Sequence, residues 1–316
     1  MSILCSGEIL FDFISKSLNK GLGESELFEK RPGGSPFNVA VGLARLGTNV
    51  SFLTKIAEDP FGKFLLSYIK DCGINTDFLF TLKDFRTTLA FAAVDSEGKA
   101  EYEFYRDNAA DTQLTLKDIE RLDLDKVSIY HFGSIALLNE PTSGSLLNLF
   151  EKFVSKNVLT SFDPNVRKSL IKDEKTYNKL VNNIVSKTDI LKMSDDDLFY
   201  LTGEKNVEKG LKKLDIKKEA SVFVTLGSNG SMVYKNGEYK KVPGYKVEVV
   251  ETVGCGDSFM AGVLYNFQNI DRYTFNNLGL KDLEEFATFA NKCAAIVATR
   301  QGAANAMPTL SEVLSF

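Results

Sequence analysis

Val127-Ser128-Ile129-Tyr130-His131-Phe132, then Leu146 to Phe153, then Val158-Leu159-Thr160-Ser161-Phe162 form the stretch whose reading decides the fold. The first and last runs are short and apolar, the pattern of strands buried on both faces. The segment between them reads as a helix. Ile190 to Met193 and Val222 to Leu226 repeat the strand pattern further on, separated by two helical segments. Toward the N-terminus, Ile3-Leu4-Cys5 opens as a strand, Asn38 to Leu46 carries Val39, Val41, Leu43 and Leu46 near helical spacing, Val50 to Thr54 is a strand and Phe61 to Ile69 a helix. Strand–helix–strand alternation over most of a chain predicts an α/β sandwich with a mainly parallel sheet.

Two regions break the rhythm. Thr87 to Val94 and Glu101 to Tyr105 flank Asp95-Ser96-Glu97-Gly98, which reads as a hairpin, and Leu10 to Ile14 adds a strand to it. These segments predict a small β-layer apart from the main sheet. A second hairpin turns at Lys235-Asn236-Gly237, with Tyr239 to Val250 extended after it. Repeats, low-complexity tracts and flexible linkers are absent from the sequence, so one core plus a small β-lid is the simplest organisation.

The chain has 316 residues, 44% apolar and 25% charged, with a net charge of −4. That length buries a large core without disulfide or metal staples. No basic stripe points to nucleic acid. Cys5, Cys72, Cys255 and Cys293 are scattered, as reduced thiols are, and form no zinc or disulfide framework. No basic segment opens the sequence and no run of about 18 apolar residues exists, so neither signal peptide nor membrane span is expected and the cytoplasm is the expected setting.

The most informative loop is Glu251-Thr252-Val253-Gly254-Cys255-Gly256-Asp257-Ser258-Phe259, with an apolar helix, Phe259 to Phe267, following it. Glycines at such a junction turn backbone N–H groups toward one point, and the helix terminus adds partial positive charge. Gly254, Cys255 and Gly256 then make an anion hole, and Asp257 stands beside it as a carboxylate able to accept a hydroxyl proton. The same spacing also suits a plain helix cap. Earlier, Arg31-Pro32-Gly33-Gly34-Ser35-Pro36-Phe37-Asn38-Val39-Ala40 opens the first amphipathic helix. There, Gly33 and Gly34 allow close approach to backbone, and Asn38 offers donors and an acceptor to hydroxyl groups. A turn with a helix start accounts for it equally well.

Taken together, the two stretches resemble the paired signatures of the PfkB (ribokinase-like) carbohydrate kinase family. The late one resembles the family's Gly-x-Gly-Asp element, the early one its Gly-Gly-x-Pro-x-Asn-x-Ala element, with Gly47 further on. The departures are Glu251 for Asp, Cys255 for Ala between the glycines, and Ala57 for Gly before Glu58. The resemblance runs in order from Gly7 to Pro308. It implies a ribokinase-like three-layer α/β/α sandwich over residues 1–316 as a single kinase domain, with a β-lid from approximately 10–32 and 85–112. It implies Asp257 as catalytic base, with Gly254, Cys255 and Gly256 as anion hole.

Carried over position by position, the resemblance gives a sugar site of Asp12, Gly33, Gly34, Asn38, Arg106, Asp163 and Arg167. Asp12 lies in Gly7-Glu8-Ile9-Leu10-Phe11-Asp12. Asp163 and Arg167 lie in Asp163-Pro164-Asn165-Val166-Arg167. Arg106, in Phe104-Tyr105-Arg106-Asp107-Asn108-Ala109-Ala110-Asp111, serves either the sugar and phosphate or a pairing with Asp107 or Asp111. Lys192 and Ser194 on the nucleotide side match loosely the family's Asn-x-x-Glu element, with Asp197 in the Glu place on the Mg²⁺ side. An acidic helix start would read the same way. Thr225, Gly227, Gly230 and Asn291 are implied for the adenosine of ATP. Glu251, Val253, Arg300 and Gly302 stand at the family's monovalent-cation site, which puts K⁺ beside ATP and Mg²⁺ as an implied ligand. His131 is the only histidine, has no partner histidine or reactive cysteine motif nearby, and reads as a structural strand-end residue.

Arg86 to Phe91, Phe104 to Asp111 and His131 to Ser134 are similar to the fructokinase members of the family, so ATP-dependent transfer to fructose is the expected reaction. Ribokinase, 2-keto-3-deoxygluconate kinase and aminoimidazole riboside kinase share the machinery and remain alternatives. So does a non-catalytic sugar-binding protein of the same fold. A dinucleotide oxidoreductase would place Gly-x-Gly-x-x-Gly after the first strand, where Gly7-Glu8 stands instead. The lid's outer face, expected to be apolar, predicts a homodimer through the lid.

Overall fold

The computed structural model of the chain describes residues 2–17, 19–94 and 100–316. Among them are thirteen strands. Nine form the main sheet: β1 Ser2–Ser6, β4 Val50–Ala57, β5 Leu79–Leu82, β8 Val127–Gly133, β9 Leu159–Asp163, β10 Ile190–Ser194, β11 Ser221–Thr225, β12 Ser231–Lys235 and β13 Glu238–Val242. The other four, β2 Leu10–Ser15, β3 Phe28–Gly33, β6 Thr88–Val94 and β7 Ala100–Tyr105, form a separate small sheet.

The main sheet runs in the order β13-β12-β11-β10-β9-β8-β1-β4-β5. Pairings from β5 through β11 are parallel, while β12 and β13 close one edge antiparallel. Its strands alternate between two apolar cores. Ile3 and Cys5, Ile190 and Phe223 face one core with the helices Ser35–Arg45, Cys255–Phe267 and Leu280–Ala298. Leu4, Leu191, Met193, Val222 and Val224 face the other, with the helices Thr142–Ser155 and Glu174–Val185. Both faces of each central strand are therefore dry, which is why these runs read as continuously apolar. This is the expected three-layer α/β/α sandwich.

The small sheet has the order β3-β2-β6-β7. Outer pairs are antiparallel and the central β2–β6 pair is parallel. The hairpin turn expected at Asp95 to Gly98 lies outside the described residues. Pro32 is accepted in β3 because that strand is an edge.

Some details differ from the sequence reading, among them β3, a fourth strand in the small sheet. The extended run expected from Tyr239 to Val250 stops as a strand at Val242, where Pro243 lacks the N–H to continue the ladder. β5 was not anticipated, because four half-exposed edge residues carry little pattern. Ala57 ends β4 within the extended ladder, so its place does not call for a glycine.

Candidate active site

The C-terminal ends of β1, β8, β9 and β10 point toward one place, and the start of the helix Cys255–Phe267 meets them there. A turn sets that start. Cys255 donates its N–H to the Thr252 carbonyl at 3.2 Å, and Gly254 takes φ 81° and ψ −6° at the turn's third position. A residue with positive φ is needed there, and a Cβ would lie 2.8 Å from the Ala303 Cα. The N–H groups of Gly256 and Asp257 have no partner among the described residues. Of the expected donors, the Cys255 N–H is spent on the turn, while the N–H groups of Gly254 and Gly256 have no partner among the described residues and are joined by that of Asp257 in the first helical turn. Burial, with Asp257 and Glu251 nearby, pushes the Cys255 thiol up to about 11, which disfavours its thiolate.

Asp257 is held from the opposite side by the helix Ser35–Arg45. Ser35 Oγ donates to its Oδ1 at 2.7 Å and Asn38 Nδ2 to its Oδ2 at 2.8 Å. Gly34 makes this contact possible: its φ is 110°, and a Cβ would sit 2.5 Å from the Glu8 carbonyl oxygen. Burial raises the Asp257 pKa above the ordinary 3.8, opposed by Ser35, Asn38, Lys192 and Arg167. Asn38 Oδ1 is buried and has no partner among the described residues, which leaves one acceptor for a ligand hydroxyl.

A cleft of about 290 Å³ opens above this floor, walled by Asp12 and Ile14 of β2, by Tyr102 and Phe104 of β7, and by Asn165 and Arg167 after β9. Asp12 faces Asp257 across it. Burial raises Asp12 to about 7, with Asp257 and Glu251 adding to the rise and Arg167 and Arg31 opposing it. Gly33 does not line the cleft. Its role is to make room for Asp12, whose Oδ2 would lie 2.0 Å from a Cβ at that position.

Behind the helix start, Lys192 Nζ donates to Asp163 Oδ2 at 2.7 Å, and both side chains are buried. Lys192 lines the cleft, and Gly256 leaves space for its ammonium, 3.1 Å from where a Cβ would be. Burial acts to lower the Lys192 pKa, but Asp163, Asp197 and Asp257 hold it above its usual value. Asp163 itself is raised to about 6 by burial, despite Lys192. Three carboxylates around one ammonium leave surplus negative charge, but no group of three or more His, Cys, Asp or Glu among the described residues is placed to hold a metal ion by itself, so a divalent cation would have to come carried on phosphate.

Other predicted residues lie off the cleft or at its edges and are held by contacts of their own. Arg106 is not on the cleft. Its Nε and Nη2 reach Asp111 Oδ2 at 3.1 and 2.7 Å, and its Nη1 donates to the Ile135 carbonyl and Asn139 Oδ1, both at 2.8 Å. Asp111 is 2% exposed and needs that charge. This is the pairing the sequence offered as the alternative. Asp197 accepts from Val166 N–H at 2.8 Å and from Ser194 N–H and Oγ at 2.9 and 2.7 Å, a capping box. Thr225 ends β11, and Gly227 begins the short turn beyond it. Gly230 packs against the chain after β13, where a Cβ would meet Val242 O at 2.3 Å. Asn291 Nδ2 donates to the Val242 and Pro243 carbonyls at 3.4 and 3.2 Å. His131 is buried and neutral, its pKa lowered by burial to about 3, and it pairs with Ser161 Oγ at 2.9 Å.

At the residues expected for a monovalent-cation site, the Glu251 carboxylate is already engaged by donors. Both its oxygens accept from Arg31 Nη1, at 2.9 and 2.6 Å, and Gly302 donates its N–H to Glu251 Oε2 at 3.1 Å. The Arg300 side chain pairs with Glu312 at 2.6 Å, and Val253 lines the cleft.

Ser35, Glu8 and Ser134 were not singled out as site residues. Glu8 is buried and lines the cleft, accepting from Ser35 N–H at 3.1 Å and Ala136 N–H at 3.2 Å. Their signal was present, since Ser35 adjoins the glycine pair and Glu8 follows the first strand, but partners distant in sequence give them their roles.

An ionisable carboxylate beside open N–H groups and a fixed ammonium, at the floor of a polar cleft, fits an enzyme that transfers an anionic group to a hydroxyl. The chain belongs to the pfkB family of carbohydrate kinases, whose family model matches residues 1–310. It is 35% identical over 313 residues to fructokinase-1 of Oryza sativa subsp. japonica, covering 99% of this chain and 96% of that one. A fructokinase of Xylella fastidiosa with bound ATP superposes with a TM-score of 0.88 at 29% identity, covering 99% of this chain and 97% of the other. A double-mutant fructokinase of Vibrio cholerae O395, in a fructose, ADP and potassium ion bound form, gives 0.86 at 29% identity, covering 100% and 98%.

Proposed function

We propose that this chain transfers the γ-phosphoryl group of ATP to a hydroxyl of fructose. The observation that carries the reading is Asp257, clamped by Ser35 and Asn38 at the floor of the cleft and adjoining the unpaired Gly256 and Asp257 N–H groups. A sugar hydroxyl at Asp257 gives up its proton to the carboxylate as its oxygen bonds to the γ-phosphorus. The bond from that phosphorus to the ADP oxygen breaks, and ADP leaves. A weak base suffices, because in a loose transition state the proton moves late. Charge on the transferring oxygens is met by the helix N–H groups, Lys192 and Arg167. Asp12 and Asn38 Oδ1 accept sugar hydroxyls from opposite sides, and Tyr102 and Phe104 of the small sheet cover the sugar as a lid. Mg²⁺ would arrive on the ATP phosphates and would neutralise their charge, with Asp163 and Asp197 adding negative charge behind Lys192.

Fructose is favoured by the plant and bacterial relatives above, whose names give that substrate. The test is ADP release with MgATP against fructose, ribose, fructose phosphate, aminoimidazole riboside and 2-keto-3-deoxygluconate. Preference for fructose supports the reading. Preference for another sugar overturns the acceptor, and turnover with none overturns the enzyme.

Two further expectations belong here. Phe13, Phe28, Phe91 and Tyr105 pack together on the small sheet, and Tyr105 is 63% exposed. That apolar face supports a homodimer through the small sheet, and sedimentation giving only monomer at micromolar concentration would overturn it. No helix among the described residues is long and apolar enough to cross a membrane, and all four cysteines are free. A reducing, cytoplasmic setting is in keeping with both.

A further inference from the structure

The transfer chemistry makes no direct use of the Arg31–Glu251 ion pair, yet that pair joins the two parts of the molecule that enclose the cleft. Arg31 lies on β3, directly across from Asp12 on β2. Glu251 lies on the loop that turns into the helix carrying Asp257. Arg31 places a fork on Glu29, Nε to Oε1 at 3.0 Å and Nη2 to Oε2 at 3.1 Å, and gives Nη1 to both oxygens of Glu251. Its side chain is 7% exposed and that of Glu251 is 18%. Lys16 pairs with Glu29 at the solvent end, so the chain of charges closes with none in excess.

A metal ion at this carboxylate needs oxygen atoms converging on it. What converges on Glu251 is a pair of N–H donors, from Arg31 and Gly302, and a positive charge is already in place. A second cation there would face the guanidinium through a partly dry interior, where like charges repel strongly. The longer Glu251 side chain, where the family has aspartate, is what reaches across to β3.

The geometry points to an internal cation: the Arg31 guanidinium does at Glu251 the work of a bound monovalent ion, so that the enzyme needs no K⁺. It also ties the small sheet to the anion loop, which makes Arg31 a positioning residue. This inference rests on the kinase reading for its effect on turnover, and on the ion pair alone for its effect on stability.

The experiment compares potassium, sodium and tetramethylammonium chloride at one ionic strength. Wild-type turnover with MgATP and fructose is expected to vary by less than about twofold, and activation by potassium of about tenfold or more overturns the proposal. Melting temperature is the second readout, and it stands even if no sugar is turned over. Wild type is expected to melt at one temperature in all three salts. Arg31→Ala is expected to melt lower in tetramethylammonium and to regain part of the loss in potassium or methylguanidinium. Potassium raising the wild-type melting temperature above its value in tetramethylammonium means that a metal ion binds beside Arg31, and the proposal fails. Should Arg31→Ala not fold, the wild-type comparison alone decides.

Discussion

Asp189 and Asp163 sit at opposite ends of neighbouring strands. Asp189 immediately precedes β10 and Asp163 ends β9, and each is 2% exposed. At the first end charge is fully answered. Arg272 Nη1 and Nη2 meet the two Asp189 oxygens at 2.5 and 2.9 Å, Lys217 adds 2.6 Å, and Thr160 donates its N–H at 3.0 Å. Burial would raise the Asp189 pKa, but these partners bring it below its ordinary value. At the other end burial prevails, and Asp12, Asp163 and Asp257 all stand above theirs. The main sheet thus has a well-answered charge at its strand starts, while the under-neutralised ones, from the sheet, the small sheet and a helix, gather beyond its strand ends, where open α/β sheets bind ligands. Carboxylates left short of positive charge are ready to take a proton from a hydroxyl or to accept cations carried on a phosphate.

The largest expected effect tests the reactive end. Asp257→Ala should lower turnover by about 10²–10⁴-fold, as loss of a general base does. Binding of ATP, followed by calorimetry, should remain. Turnover near that of wild type would remove Asp257 from its role and with it the contrast between the two ends.

The opposite end should answer in stability alone. Asp189→Ala strands Arg272 and Lys217, whose side chains are 20% and 33% exposed and can partly recover water. The cost is therefore set at about 2–3 kcal/mol, below that of breaking a fully enclosed pair. It is read from chemical denaturation, with turnover per folded molecule within about twofold of wild type. A large loss of turnover without loss of stability would show that the strand starts are not merely structural.

How legible these two ends were in the sequence differs for a physical reason. Strands and helices follow from local periodicity, so Val127 to Phe132 and Leu146 to Phe153 announced the sandwich. Asp257 was legible because its glycines and its helix are its immediate neighbours. Arg106 and Asp197 were placed by a pattern of residue types, and what decides their use is the nearest buried opposite group. For Arg106 that is Asp111, and for Asp197 it is the capping box with Ser194 and the Val166 N–H. The Asp189 cluster draws on Lys217 and Arg272, 28 and 83 residues away, which no local pattern reveals. Glu251 read as a small departure from aspartate, and only tertiary folding brings it Arg31, 220 residues away.

The pH dependence sharpens the contrast at lower amplitude. Asp12 has a folded pKa of about 7 against an ordinary 3.8. Between those values the folded protein holds a proton that the unfolded chain has released. Stability therefore falls as pH rises through that window and is lowest above it. Asparagine cannot ionise, so Asp12→Asn should stabilise by about 1–2 kcal/mol near pH 8 and by little near pH 4, a figure discounted for the solvent-open cleft. Denaturation curves at the two pH values check it, and an equal effect at both would mean that Asp12 is an ordinary surface carboxylate. The same variant should raise the KM for the sugar, so stability and function move in opposite directions at this residue.

The smallest effect is the most diagnostic of Asp257 itself. Ser35 Oγ donates to Asp257 Oδ1 and holds its pKa down against burial. Ser35→Ala removes one hydrogen bond to the ionised form, worth about 1 kcal/mol, which corresponds to roughly half to one pH unit. The base must be ionised to accept the hydroxyl proton, and activity is lost as pH falls through its pKa. The acid limb of kcat/KM should therefore move to higher pH by that amount, with the plateau little changed. A packing defect at Ser35 would instead lower the plateau and leave the limb in place. Two groups complicate the limb: Asp12, which burial also raises, and Lys192, whose charge opposes the rise. The profile is therefore best taken in the Asp12→Asn background. There a limb that still shifts belongs to Asp257, and one that no longer shifts assigns the titration to Asp12.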